Sequence, residues 1–378
     1  MNFDFTEAEM QFFNNLQQML RQFGEGRNPE TRDLDGVRRN TRDALAVLST
    51  SGYLNLGLDH AGMNSGGTLQ LMAAMEIVAA FSQSLFLSIE MSTHLFGRIL
   101  FAWGQGDPIA RALLSLKQGK LLGAVALSEK TLNVENDPMD TRGVLKGDHV
   151  SIDGSKQYVV NGPIADWIAV VGKFHDSHAI FLVKNGTRGL EKHERIQTLG
   201  YEGAAICPMR FDDCRIPADQ VIIPPDGEDV LAMLRLWENQ ILVGACLGMM
   251  TSSFEAAKAY AHAHQSGGKP IVAYQEVAFK LAEMLTLDQT SRLLAYRAAW
   301  MSDVNPAEAP SLTLCAKVFC AESAERVAGQ ALQILAGHGY QLGNKAESAF
   351  RCAKYAQIAG TSTEIARVKI GDEALGYV

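Results

Sequence analysis

A change of texture constrains this chain more than any single motif. Up to about residue 120, apolar residues recur at helical spacing. They do so in a first helix that runs through Leu20 and in the segments 40–52, 68–84 and 86–104. Thr6 followed by Glu9 predicts a capping box at the start of the first helix. Near residue 121 the spacing changes. LLGAVALSEK is an apolar run without helical period, and IAVVGKF, AIFLVK and MRFDDCRI read as strands. HVSIDGSKQYVVNG alternates and carries Asp153-Gly154, which predicts a hairpin turning there. From about residue 225 the helical spacing returns in long pieces, 227–264, 273–303, 309–336 and 343–358. The chain therefore reads as an α+β protein in three parts: an α-helical domain over 1–120, a β domain over 121–222 and a helical bundle over 223–378.

Composition narrows the function. The net charge of -8, with no basic block, argues against nucleic-acid binding. No apolar run is read as a membrane helix, and MNFDFTEAEM lacks the basic start and apolar run of a signal peptide. The expectation is a cytoplasmic protein without a membrane partner. None of the six cysteines (207, 214, 246, 315, 320 and 352) forms a CxxC pair, which predicts reduced, mostly buried thiols. His262 and His264, two apart in a helical segment, point to different faces, so no metal site is expected.

Several motifs, in order, resemble the acyl-CoA dehydrogenase family of flavoproteins. They are SEK (128–130), KQYVVNGPIADW (156–167), LGYEGAAICPMRFDDCRIP (199–217), YAHAHQSGGKP (260–270), ALQILAGHGY (331–340) and KYAQIAGTSTEIAR (354–367). The resemblance covers essentially the whole chain. It implies an acyl-CoA dehydrogenase-like fold: an N-terminal helical domain, a middle β domain and a C-terminal four-helix bundle. FAD would lie between the β domain and the bundle, and a homodimer or homotetramer would complete the flavin site. NGPIADW, FDDCRIP and WENQILVGACLGMM look closest to the branch that oxidises aminoacyl groups tethered to carrier proteins.

The implied reaction is α,β-dehydrogenation of a thioester. A carboxylate removes a proton from Cα, and a hydride leaves Cβ for flavin N5. Such chemistry needs a polarised carbonyl, a base at contact distance and little water. In many relatives the base is a Glu of the closing loop, but the matching residue here is Gly360. A second branch carries its Glu on the first helix of the bundle, and Glu238 of RLWENQILVGACLGMM occupies that position. Leu234, Ile241 and Leu242 share its helical face, which predicts an apolar setting for the carboxyl. The alternative is an Arg235–Glu238 ion pair at i,i+3 on a solvated face. The resemblance leaves Gly360 one role, its backbone N–H donating to the thioester carbonyl. The alternative is a plain turn glycine.

Other positions carry implied FAD contacts. Leu127 and Ser128 would run along the isoalloxazine, with Tyr158 as an aromatic against it and Val160 near N5 in place of a common Thr. Gln333 and Gly337 match a segment that approaches the pyrophosphate from a neighbouring subunit. Ser362 and Gln275 match further polar contacts. Tyr158 also reads as a core-facing strand residue, Gln333 as a helix-end polar residue, and Gly337 and Gly339 as helix caps.

The departures are specific. Asn133-Val134-Glu135, followed by Asn136, replaces the family's Gly-Ser-Asp. His264 stands where the family has an Arg reaching the pyrophosphate, Gly267 replaces a Phe, and Asn239 replaces the Arg beside the base. The resemblance thus implies FAD-dependent dehydrogenation of an acyl thioester with Glu238 as base. The substrate would be an aminoacyl or acyl group on a carrier protein in secondary-metabolite biosynthesis. The alternative is a catabolic acyl-CoA, with electrons passing to an electron-transfer flavoprotein. An oxidase variant would return them to O2, and a non-redox scaffold with a decayed flavin site is the reading from another class.

Overall fold

The computed structural model describes residues 3–59, 67–131 and 138–377, so the substituted segment 133–136 lies outside the described residues. Thr6 caps α1 (Glu7–Gly24) as predicted, its hydroxyl accepting from the Glu9 N–H while the Glu9 carboxylate accepts from the Thr6 N–H at 2.7 Å. Phe13, Leu16, Leu20 and Phe23 then fall on one buried face. α2 (Leu34–Ser51) starts at the Asp33 cap and stops at Gly52, whose φ of 85° ends the helix in the left-handed region. α3 (Gly67–Phe81) follows. The stretch read as one helix over 86–104 is a composite of α4 (Gln83–Glu90), a π-helical turn at Met91–Phe96 and α5 (Gly97–Trp103). All six residues of the π turn are buried, and such turns recur at functional sites. α6 (Asp107–Lys117) completes the first helical part.

The middle part is one eight-stranded sheet: β1 (Gly123–Ala126), β2 (Arg142–Lys146), β3 (His149–Val160), β4 (Trp167–Phe174), β5 (Ser177–Lys184), β6 (Leu190–Lys192), β7 (Ile206–Pro217) and β8 (Val221–Ile222). The strands lie in the order β6-β7-β3-β2-β4-β5-β8, with β1 parallel to β4. The hairpin expected at Asp153-Gly154 is not there. β3 runs through that dipeptide, and the turn lies at Gly147-Asp148, where Gly147 takes φ 69°. Gly154 instead sits where the pairing with β7 shifts register, so close to Thr141 that an added Cβ would lie 2.7 Å from the Thr141 Cα. Ile168, Val170, Phe181 and Val183 fill the sheet's own core, while Ala169, Val171, Ile180 and Leu182 face the helical core. Both faces of β4 and β5 are therefore dry, which explains their unbroken apolar runs. Asn161 ties the sheet to α4, donating from Nδ2 to the Ser88 carbonyl at 2.7 Å and to the Gly123 carbonyl at 3.2 Å.

The bundle holds α7 (Val230–Ala263), α8 (Gln275–Val304), α9 (Ala309–Leu335), α10 (Lys345–Ile358) and α11 (Thr363–Leu375), with a short pair β9 (Gln265–Ser266) and β10 (Lys269–Pro270) between α7 and α8. The expectation about membrane helices needs correction. The helical runs Gln83–Trp103 and Val230–Ala263 do have the length and apolarity of a span, but their apolar windows are 89% and 72% buried inside the protein. They serve as core helices here. All six thiols are free, five of them buried and Cys315 partly exposed. Among the described residues, no group of three or more His, Cys, Asp or Glu could hold a metal ion.

Candidate active site

A cleft with a cavity volume of about 40 Å³ opens where the sheet meets the first turns of α7. Leu127, Ser128, Tyr158 and Val160 line it from the β domain, and Leu234, Arg235 and Glu238 from α7. Met91 and Leu95 of the π turn, Tyr355 of α10, and Val125 and Gln157 of the sheet line it as well. Five of the candidate site residues thus meet: Leu127, Ser128, Tyr158, Val160 and Glu238.

Two motifs hold the β wall in place by contacting each other. Lys156 is fully buried and donates from Nζ to the Leu127 carbonyl at 2.9 Å and to Glu129 Oε1 at 2.7 Å. Glu129 also accepts from the backbone N–H groups of Asp140 and Thr141. The Gln157 N–H donates to the Ser128 carbonyl at 2.8 Å. Leu127, Ser128 and Tyr158 are thereby fixed side by side. Burial pushes the Lys156 ammonium down to about 8, against the pull of Glu129. Burial alone would raise Glu129, but Lys156 and the other donors outweigh it and hold the carboxylate below its usual range. This clamp was not anticipated from the sequence. Its one local signal is a pair of charges, one just past β1 and one within β3, beside apolar runs.

Tyr158 does not face the core, contrary to the bland alternative. It is 54% exposed at φ 53°, where the β3–β7 pairing is irregular. A non-glycine residue in that region is held at a cost on the order of 1–3 kcal/mol and clusters at functional sites.

On the opposite wall, the Arg235–Glu238 ion pair forms, with Nη1 to Oε2 at 2.7 Å. The face is not solvated, since the two side chains are only 10% and 14% exposed. Leu234, Ile241 and Leu242 are buried beside it. The apolar setting expected for Glu238 is therefore corrected to a largely buried one with a guanidinium in it. Burial, and then the negative charge of Glu238, push the Tyr355 phenol well above its usual value.

Gly360 does not line the cleft. It turns at φ 65° against α7, and a Cβ there would fall onto Asn239 Oδ1 and lie 3.0 Å from Leu242 Cδ1. Asn239 grips the next residue twice: Oδ1 accepts the Thr361 N–H at 3.0 Å, and Nδ2 donates to Thr361 Oγ1 at 3.0 Å. Lys317 of α9, also buried, donates to the Thr361 carbonyl. Ser362 caps α11 by accepting the Ile365 N–H at 3.4 Å.

Lys317 makes a testable pH device. Burial pushes its ammonium down to about 8 from 10.5, with Cys246 and Glu238 opposing the shift and Arg235 adding to it. The unfolded lysine then binds more protons between those values, so its contribution to stability rises as pH rises from about 8 to 10.5. Wild type minus Lys317→Met should show that rise in melting experiments, with Cys246, which Lys317 itself perturbs, replaced by Ala in both proteins. A flat difference would contradict it.

The remaining FAD positions lie elsewhere. His264 caps α7 and stacks on Tyr260, with centroids 4.8 Å apart, and Tyr260 lies 5.5 Å from His338, the neighbour of Gly337. Gln275 opens α8 just beyond Ile271, whose N–H bonds the His264 carbonyl at 2.9 Å. His264, Gln275, Gln333 and Gly337 are all exposed, and none lines the cleft. At 1.5 Å per residue, the 26 residues from Glu238 to His264 span about 39 Å of α7. One flavin cannot touch both ends of a single chain.

The sequence family described as acyl-CoA dehydrogenase, middle domain, matches residues 124–214, and its C-terminal domain matches residues 230–375. The chain belongs to the acyl-CoA dehydrogenase family. It is 26% identical to benzylmalonyl-CoA dehydrogenase of Aromatoleum aromaticum over 379 residues, covering 99% of each chain. The prolyl acyl carrier protein oxidase AnaB has the same fold, with a TM-score of 0.85 at 21% identity over 98% of this chain and all of AnaB. So does PigA, solved with FAD and proline, with a TM-score of 0.85 at 20% identity over 100% of this chain and 99% of PigA. The expected cofactor, FAD, agrees with this membership. The cleft residues also fit a flavin ring: Tyr158 offers an uncovered aromatic face, and the half-buried Ser128 hydroxyl makes no hydrogen bond among the described residues.

Proposed function

We propose that this protein oxidises an acyl thioester at its Cα–Cβ bond, with Glu238 as the base. The observation that carries this reading is the position of Glu238, largely buried and lining one cleft with Leu127, Ser128 and Tyr158. Bound FAD supplies the acceptor for the hydride that leaves Cβ. Leu127, Ser128, Tyr158 and Val160 would hold the flavin ring. Glu238 would take the Cα proton onto a carboxylate oxygen, and Met91, Leu95 and Leu234 would keep water from that oxygen. Asn239 and Lys317 would set the loop that offers the Gly360 N–H to the thioester carbonyl.

His264, Gln275, Gln333 and Gly337 would serve the flavin of a second subunit, so a homodimer or homotetramer belongs to this reading. So does a cytoplasmic location. The preferred substrate is an aminoacyl or acyl group on a carrier protein, supported by the likeness to AnaB. A catabolic acyl-CoA is the second reading, supported by the likeness to benzylmalonyl-CoA dehydrogenase. Electrons would pass to an electron-transfer flavoprotein or to O2. Turnover of the same acyl group on carrier protein and on CoA separates the two. The expected result is faster turnover on the carrier protein, and a clear CoA preference would overturn the carrier assignment.

A further inference from the structure

The cleft holds one polar group that the proposed reaction does not use. On the bundle side it is lined by Leu234, Arg235 and Glu238 of α7 and by Tyr355 of α10. Tyr355 is half-buried, and its hydroxyl makes no hydrogen bond among the described residues. Burial, and then the negative charge of Glu238, keep the phenol protonated, so it offers both a donor and an acceptor.

The Tyr355 ring is held by a strained neighbour. Tyr201 meets it edge-on, with centroids 5.1 Å apart. Tyr201 is buried, sits at φ 59° and leaves its own hydroxyl without a hydrogen bond among the described residues. A non-glycine residue at such an angle persists only where its surroundings fix it, and such residues cluster at functional sites. α10 does the fixing. Arg351, one turn before Tyr355, donates to the Leu199 carbonyl at 2.6 Å and also to Glu202. Gly200 lies so close to α10 that an added Cβ would be 2.9 Å from Cys352 Sγ. The segment carrying Tyr201 is thus clasped on both sides of it, and Tyr201 in turn limits the movement of Tyr355.

We propose that the Tyr355 hydroxyl is a specificity group for a hydroxyl or N–H on the acyl group, close to the carbon that loses its proton. The proposal rests on the thioester reading given above, which puts that carbon beside Glu238. Met91, Leu95, Val125 and Leu234 give an acyl chain apolar contacts only. Ser128, Gln157 and Tyr158, the other uncharged polar groups of the cleft, lie on the sheet side. A plain alkyl chain leaves the phenol covered and unpaired, and a site built to pair with a hydroxyl or N–H rejects the analogue that lacks it.

The test uses the flavin-loaded protein and two thioethers of pantetheine, butyl and 2-hydroxybutyl, which cannot react. The hydroxyl is uncharged, so the charges of Glu238 and Arg235 do not bias the comparison. By calorimetry, wild type should bind the hydroxyl ligand about tenfold tighter than the butyl ligand, the scale of one hydrogen bond made in place of an unpaired phenol. Tyr355→Phe keeps the ring against Tyr201 and removes the hydroxyl alone. It should cut the ratio to about twofold or less while binding the butyl ligand no more weakly than wild type does. Equal binding of both ligands by wild type overturns the proposal without any variant. A preference that survives in Tyr355→Phe belongs to another group and overturns it too. So does equal weakening of both ligands with the melting temperature unchanged, which would make Tyr355 a wall and no more. Flavin bleaching by butyryl and 2-hydroxybutyryl thioesters is read separately. If neither bleaches the flavin, the dehydrogenase reading fails, and the calorimetric ratio still decides the role of Tyr355.

Discussion

Glu238→Gln should keep the fold and bound FAD while bleaching with a thioester roughly a hundredfold to ten-thousandfold more slowly than wild type, the usual contribution of a positioned base. The amide has the shape of the carboxyl and still offers an oxygen to Arg235, so the cleft geometry survives. It cannot take a proton from carbon. Stopped-flow absorbance under anaerobic conditions measures the rate, and the flavin spectrum of the resting protein checks loading. The two readouts separate three outcomes. Loss of bleaching with flavin retained supports Glu238 as base. Equal bleaching by both proteins removes that assignment. If neither protein holds FAD and neither can be reconstituted, the scaffold reading takes over. The ion pair with Arg235 makes the contrast sharper, since a merely structural pair would show its loss in melting temperature and leave the bleaching rate alone.

The order of helical, stranded and helical blocks was legible because period is a local property, and α1 was legible down to its capping box. The turn in the sheet was misplaced for a physical reason. Asp-Gly is a strong hairpin signal, but the glycine at 154 answers to crowding against Thr141, far from any turn. The cleft wall of Leu127, Ser128, Tyr158 and Val160 was legible only through family resemblance. The residues that hold it were not. Lys156 reaches Glu129 across 27 residues of sequence, Lys317 reaches Thr361 across 44, and Asn239 reaches Thr361 across 122. No local pattern encodes such contacts. Asn239 was noted as a departure from the family, and its use as the clasp on the closing loop appears only once α7 and that loop are side by side. His264, Gln275, Gln333 and Gly337 point to a different limit. On the reading proposed above, their ligand would belong to a neighbouring subunit, and in the single chain all four are exposed.

Placing the family's loop glutamate into this protein should fail. Gly360→Glu in the Glu238→Gln background should restore less than about a tenth of the wild-type bleaching rate, a shortfall of more than roughly 1.4 kcal/mol in barrier. It should also melt below the Glu238→Gln parent. Two costs act on the same residue. At φ 65° a side chain other than glycine's is held at roughly 1–3 kcal/mol, and the new Cβ falls onto Asn239 Oδ1, where overpacking adds roughly another 1–3 kcal/mol. Relieving the collision means moving Asn239, which breaks both of its hydrogen bonds to Thr361. The loop that would carry the new carboxylate is therefore the loop that the substitution releases. Adding Asn239→Gly opens the space but leaves the buried Thr361 N–H without its acceptor, so the triple variant should regain little of the lost stability. Full recovery of bleaching by Gly360→Glu alone would mean that Asn239 does not fix the loop, and that the base can sit on either element.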